Sequence, residues 1–218
     1  MQVMKFGGTS VANATNMSKV VDIVSKAVER DRTILISSAI SGCTDTLIKI
    51  GIRASERDES YKTLIDDLQK KHHDIIRELL PLEKHEESRE VCDALFDSLR
   101  GIAQGVCLLG ELSPASLDAI QSFGELWSTK ILATKLASIG IATKWIDSRA
   151  IIRTVPKNGK NVVDIQKTYF RVNEMVEKNP ITQLFVAPGF IASDKEGRTT
   201  TLGRGGSDYT ASLFAVGC

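Results

Sequence analysis

The stretch QVMKFGGTS, residues 2–10, joins a short apolar run to two adjacent glycines. The stretch TILISSAISG, residues 33–42, repeats this design, and a helix is expected from about Thr44. Between the two stretches, apolar residues recur at the spacing of one helix face: Met17, Val20, Val21, Val24 and Val28. Two successive strand, loop and helix units predict an α/β fold with a parallel sheet.

The middle of the sequence predicts a helical hairpin over about residues 54–110, with charged outer faces, laid against or beside the sheet. Its first helix ends at Pro81, and its second begins after LEKHEESRE, residues 82–90. The two apolar faces comprise Tyr61, Leu64, Ile65, Leu68, His72, Ile75, Ile76 and Leu79, and then Val91, Leu95, Leu99, Ile102 and Val106.

The rest of the chain returns to alternating helices and strands. We expect helices over 113–138, interrupted at SFGE (122–125), and over 164–177, and strands over 141–147 and 183–192. The segment IIRTVPKNGKNVVD, residues 151–164, is predicted to be a mobile loop. Because no repeat or linker divides the sequence, it predicts one three-layer α/β/α domain over residues 1–218, with a largely parallel central sheet.

The overall charge argues against nucleic-acid and membrane partners. Lys plus Arg number 28 against 27 Asp plus Glu, so the net charge is +1 and any bound anion must be met locally. No apolar run approaches the roughly 18 residues needed to span a bilayer, and the N-terminus is too poor in apolar residues for a signal peptide. The four cysteines form no C-x-x-C pair, so we expect no metal site, no disulfide framework and a cytoplasmic location.

Candidate binding residues follow the first two predicted strands, where ligands of open α/β sheets bind. Lys5 precedes Gly7 and Gly8, whose backbone N–H groups suit a phosphate, although the spacing fits neither G-x-x-x-x-G-K-S/T nor G-x-G-x-x-G. A plain tight turn with an exposed lysine is the alternative. Hydroxyls surround the second turn, where helix capping by Ser41 or Thr44 is the alternative to ligand binding.

Charged residues also stand in two later stretches. Glu125 follows a glycine in an apolar helical stretch, so it is either exposed or holds a cation such as a substrate ammonium; Glu111 is expected on the surface. Arg204 lies between glycines, which suits bidentate capture of a carboxylate or phosphate. Ser207 and Asp208 open the next helix, where capping and the helix dipole offer a purely structural explanation.

Four motifs occur in order: KFGGTSV (5–11), SSAISGCTD (37–45), SFGE (122–125) and TTTLGRGGSDYTA (199–211). Together they resemble the aspartate kinases of the amino-acid kinase superfamily, over residues 3–215, and TTLGRGGSD is the most specific part. The resemblance implies the amino-acid kinase fold. It also implies transfer of the γ-phosphoryl group of MgATP to the β-carboxylate of L-aspartate, the first step towards lysine, threonine and methionine.

The same resemblance implies a role for each matching residue. Lys5, Gly7, Gly8 and Thr9 would contact the ATP phosphates, and Asp208 would hold the catalytic lysines in position. Arg204 would bind the α-carboxylate of aspartate and Glu125 its α-ammonium. Further pocket residues would be Ser38, Ala39, Thr44, Phe190 and Ser207.

Members of this family continue with a further nucleotide-binding segment and with regulatory domains that sense lysine or threonine. The resemblance therefore implies that these residues are an N-terminal part of a longer homo-oligomeric enzyme, with a fold incomplete at the C-terminus and weak or no activity alone. The hairpin and GELSPASLDAI (110–120) favour the class fused to homoserine dehydrogenase. Open alternatives are a glutamate or N-acetylglutamate kinase and a non-catalytic ligand-binding or assembly module.

Overall fold

The computed structural model describes residues 1–157 and 159–218. The strands are β1 (Gln2–Phe6), β2 (Thr33–Ser37), β3 (Thr143–Trp145), β4 (Thr154–Lys157), β5 (Lys160–Val163), β6 (Leu184–Pro188), β7 (Ile191–Ser193) and β8 (Thr199–Thr201). The helices are α1 (Ala14–Val28), α2 (Cys43–Ser55), α3 (Tyr61–Leu79), α4 (His85–Leu109), α5 (Pro114–Ser138), α6 (Ser148–Ile151), α7 (Ile165–Glu177) and α8 (Gly206–Gly217). No helix in this described part of the chain is long and apolar enough to cross a membrane.

The central sheet is parallel, as predicted, with strand order β1-β2-β6-β3. Its register pairs Val3 with Ile34, Ile34 with Phe185, and Thr143 with Leu184. The two inner strands, β2 and β6, are buried along their whole length. Because parallel strands run in one direction, the loops after β1, β2 and β6 meet at one edge of the sheet.

Helices cover both faces of this sheet, which confirms the three-layer architecture. Leu35 faces one core, which contains residues of α1, α2 and α5, including Met17 and Trp127. Ile34 and Ile36 face the opposite core, where α7 and α8 pack. The alternation of side chains along β2 thus divides two hydrophobic cores.

The predicted helical hairpin is present as α3 and α4, and it packs against α1, α2 and α5 as an outer layer. The predicted start of α4 is wrong, since the helix begins at His85, directly after a 3-10 turn over Leu82–Lys84. Its first turn carries Glu86 and Glu87, whose negative charges stabilise a helix N-terminus. A search for apolar residues at helical spacing misses this turn, because both residues are polar.

Three further boundaries differ from the prediction. Helix α5 runs through SFGE without interruption. The glycine in this stretch serves close packing, since a Cβ atom at Gly124 would lie 2.7 Å from the Cβ of Ala39. The single strand expected over 183–192 divides at Phe190 into β6 and β7, and β7 pairs antiparallel with β8. The predicted mobile loop contains the antiparallel hairpin β4–β5, while Asn158 lies outside the described residues.

Candidate active site

A cleft of about 400 Å³ lies where β1, β2 and β6 end and where α2 and α8 begin. Residues from all four sequence motifs line it, although they are spread from position 5 to position 208. The predicted site residues that the structure brings together in this cleft are Lys5, Gly8, Ser38, Ala39, Thr44, Glu125, Phe190, Ser207 and Asp208.

The cation of the cleft is Lys5, at the end of β1. Its Nζ lies 2.9 Å from Oδ1 of Asp208, which sits in the first turn of α8. The same Nζ packs against Gly7, since a Cβ atom added to that glycine would lie 3.6 Å from it. The pair joins the first and last motifs, so the carboxylate of Asp208 fixes the ammonium beside the glycine turn.

The loops after β1 and β2 touch and form one wall of the cleft. The N–H of Ser38 donates to the carbonyl of Phe6 at 3.1 Å, and the N–H of Ser41 donates to that of Gly8 at 3.2 Å. A Cβ atom at Gly8 would come within 2.9 Å of the carbonyl oxygen of Ala39, so this contact requires glycine.

The structural alternative for the hydroxyls of this wall is wrong. The N-cap of α2 is Gly42, in the left-handed conformation with φ +78°, and no side chain caps the helix there. Neither Ser41 nor Thr44 is therefore its cap, and both line the cleft. A hydroxyl can donate and accept hydrogen bonds, so both residues suit a polar ligand.

Glu125 is the buried acid of the cleft. It is 3% exposed, and burial raises the pKa of its carboxyl group to about 8. The N–H of Ala39 donates to the carboxylate, which opposes this rise in pKa. Its Oε2 has no hydrogen-bond partner among the described residues. The sequence offered exposure or a paired cation, and the structure shows burial without an ion pair to any described residue.

The opposite wall is built on a left-handed residue, Phe190, with φ +68°. Its N–H donates to Oγ1 of Thr210 at 3.0 Å, and its carbonyl accepts from the N–H of Leu202 at 2.8 Å. A Cβ atom at Gly206 would lie 2.8 Å from the Phe190 ring. Close packing of α8 on this residue holds a conformation that non-glycine residues rarely adopt.

Ser207 does not cap α8, because the N-cap is Gly205 and no side chain bonds there. Instead, Oγ of Ser38 donates to Oγ of Ser207 at 3.0 Å. This bond ties the end of β2 to the start of α8 across the cleft, so the structural explanation by capping fails for Ser207 too.

Three predicted site residues do not line the cleft. Gly7 and Thr9 flank the lining residue Gly8, and Thr9 is exposed. Arg204 is exposed between Gly203 and Gly205, and it makes no hydrogen bond or ion pair with any residue that the structure describes. Its guanidinium remains available to a ligand.

The sequence profile of the amino acid kinase family matches residues 1–218. The chain belongs to the amino acid kinase family. Lysine-sensitive aspartokinase 3 of Escherichia coli is 33% identical over 215 residues, which cover 98% of this chain and 45% of that protein. Bifunctional aspartokinase/homoserine dehydrogenase 2 of Arabidopsis thaliana, a chloroplastic protein, is 28% identical over 215 residues, or 98% of this chain and 23% of that protein.

Solved structures of related kinases share the fold. E. coli aspartokinase III in complex with lysine and aspartate superposes with a TM-score of 0.88 at 32% identity, over 99% of this chain and 46% of that one. The same enzyme in complex with aspartate and ADP gives a TM-score of 0.83 at 31% identity, also over 99% and 46%. This amino acid kinase chain thus spans between about a quarter and a half of the length of these relatives.

The sequence left out some residues that build this amino acid kinase cleft. Asp45 lines it beside Thr44. Asp118 accepts hydrogen bonds from Oγ1 of Thr201 at 2.8 Å and from its N–H at 3.3 Å, which ties α5 to the strand before the glycine turn. Helical spacing could have indicated Asp118, because it lies two turns before Glu125 on the same face of α5.

Proposed function

We propose that the chain is the aspartate-binding part of a kinase that transfers the γ-phosphoryl group of ATP to the β-carboxylate of L-aspartate, giving 4-phospho-L-aspartate. The observation that carries this proposal is the buried carboxyl group of Glu125 in the same cleft as Lys5, because its Oε2 has no hydrogen-bond partner among the described residues. Burying a carboxylate without a neighbouring cation is costly, so the site favours a ligand that brings one. Its relatives are named aspartokinases, which supports the substrate.

On the amino-acid side, Glu125 binds the α-ammonium and Arg204 the α-carboxylate. Arg204 is exposed on the glycine turn, between Gly203 and Gly205, which line the cleft. Its guanidinium forms no ion pair with any described residue, so binding an anion would not require one to be broken. The remaining pocket residues supply hydroxyls and an aromatic wall: Ser38, Ala39, Thr44, Phe190 and Ser207.

On the phosphate side, Lys5 and the amides of Gly7, Gly8 and Thr9 neutralise charge that develops on the transferring group. Asp208 positions Lys5 through their 2.9 Å contact. The attacking carboxylate is ionised at neutral pH, so the reaction needs no general base.

Mg²⁺ belongs to this proposal together with ATP. The described residues contain no group of three or more His, Cys, Asp or Glu that would hold a metal ion. Since Mg²⁺ usually binds through substrate phosphates and water with few carboxylates, it would enter the site with the nucleotide.

The proposal extends to the context of the cleft. Residues 1–218 form the substrate-binding part of one kinase domain, in which the helices over about 54–110 are an insertion. The kinase is a cytoplasmic homo-oligomer, and bifunctional relatives support a fused homoserine dehydrogenase.

Calorimetry on the 218-residue chain tests the substrate. L-aspartate should bind about ten- to a hundredfold more tightly than succinate, which lacks the ammonium group, because a hydrogen bond to a charged group contributes about 1.5–3 kcal/mol. Glu125→Gln should remove this preference, while Glu111→Gln, an exposed control on the loop before α5, should keep it. Equal affinities for L-aspartate and succinate would overturn the assignment, and tighter binding of L-glutamate would favour a different carboxylate kinase.

A further inference from the structure

A second pocket lies away from the cleft, between α4, α5 and β3, with a volume of about 180 Å³. Val91, Leu95 and Ile131 form an apolar wall, and Trp127 and Trp145 complete it. A dry cavity of about 150 Å³ is large enough to bind benzene. The pocket therefore has room for one ring or a branched chain of similar size.

Two buried donors of this pocket lack partners. Trp127 is 1% exposed, and its Nε1–H has no acceptor among the described residues. The buried hydroxyl of Ser88, another lining residue, has no partner there either. An unsatisfied buried donor costs about 1–3 kcal/mol, so an acceptor in this pocket would be stabilised.

The pocket also carries a cation, Lys130. Lys130 is half-buried, and its Nζ lies 3.8 Å from the centroid of the Trp145 ring. Desolvation by burial lowers the pKa of Lys130, although the carboxylate of Asp147 acts in the opposite direction. Lys130 forms no ion pair with any described residue, and the acidic lining residue Glu87 is paired with Lys84 at 2.9 Å. The face of the Trp145 ring compensates the positive charge of Lys130 only in part.

We propose that this pocket binds a small monocarboxylate whose apolar body is about the size of one ring. The body lies on the apolar wall, and the carboxylate accepts from Lys130, from Nε1 of Trp127 and from the hydroxyl of Ser88. This site is independent of the function proposed above. Trp127 and Glu125 are two residues apart on α5, so the helix presents them to different sides, one to each pocket.

The tryptophans give a site-specific measurement, because the chain has two and both line this pocket. The indole N–H resonances of the 218-residue chain are followed by ¹⁵N NMR during titration with benzoate. The indole of Trp145 already donates to Oγ1 of Thr129 at 3.0 Å, so the larger shift is expected at Trp127. Trp145→Phe assigns the two signals without altering the buried Trp127.

Benzyl alcohol, which keeps the ring without the charge, should bind at least about tenfold more weakly than benzoate, and acetate should give no saturable shift. Lys130→Met should weaken benzoate about ten- to a hundredfold and leave benzyl alcohol unchanged, whereas the control Lys135→Met, on the same helix outside this pocket, should change neither. The proposal is overturned if benzoate never shifts either indole saturably, or if it binds Lys130→Met as tightly as the wild type. It is also overturned if Glu125→Gln abolishes the effect, which would place benzoate in the cleft.

Discussion

Replacing Glu125 with Gln should stabilise the unliganded protein at neutral and alkaline pH. Burial raises the pKa of this carboxyl group to about 8 from the value of 4.5 that it has in the unfolded chain. Each pKa unit corresponds to about 1.4 kcal/mol, so ionised Glu125 lowers the free energy of unfolding by up to about 5 kcal/mol. At pH 7, where the folded form is still mostly protonated, the loss is about 3 kcal/mol.

The direction follows from which state loses its proton first. Below pH 4.5 the carboxyl is protonated in both states, so its pKa shift costs nothing. Between 4.5 and about 8 the unfolded chain ionises while the folded protein keeps the proton, so stability falls as pH rises. Above about 8 the full cost is present. Gln cannot ionise, so the advantage of the variant should grow over this window.

Urea unfolding at about pH 5, 7 and 9 measures this difference, with Glu111→Gln as an exposed control that should follow the wild type. An advantage of Glu125→Gln that is the same at all three pH values, or a destabilised variant at high pH, would refute the argument. Binding of L-aspartate supplies a second measurement. Because its ammonium requires the ionised carboxylate, the wild type should release close to one proton on binding at pH 7, and its calorimetric heat should vary with the ionisation enthalpy of the buffer.

Gly124→Ala should cost about 1–3 kcal/mol in urea unfolding, since its Cβ would lie 2.7 Å from that of Ala39, whereas Gly101→Ala, in open space on α4, should be neutral or stabilising by up to about 1 kcal/mol. Thr210→Val removes the acceptor of the Phe190 N–H and should cost about 1–3 kcal/mol and weaken L-aspartate binding; unchanged affinity would contradict the positioning role. Arg204→Ala should weaken L-aspartate in calorimetry without changing the unfolding midpoint; unchanged affinity would remove it from the site.

Local periodicity was enough to predict some elements of the fold, though not all of their boundaries. The apolar face of α3 and the β-rich run of β2 both fall where the sequence placed them. The strand order β1-β2-β6-β3 was not predictable in this way, because it depends on pairing between segments that are about 150 residues apart. A glycine inside α5 was also misinterpreted as a break, since only tertiary contact shows that Gly124 is needed for packing.

The candidate site was predictable as a set of residues but not as an arrangement. The motifs named Lys5 and Asp208, yet nothing in the local sequence states that these side chains lie 2.9 Å apart. The sequence left capping open for Thr44 and Ser207, and the structure rejects it because both N-caps are left-handed glycines. Such alternatives depend on φ angles and on burial, which a spacing pattern does not contain.

The burial of Glu125 brings stability and ligand binding into conflict at one residue. It lies in an unbroken buried stretch of α5, Ser122–Thr129, so a carboxylate there loses most of its hydration. An apolar or amide side chain at this position would leave a more stable protein with no partner for an ammonium group. Retaining an acid at such a cost is what selection for binding predicts, since natural proteins depart from local stability rules mainly at functional sites. A variant at position 125 that gains stability and also keeps the preference for L-aspartate over succinate would therefore support the energetic assignment of this residue and contradict the functional one.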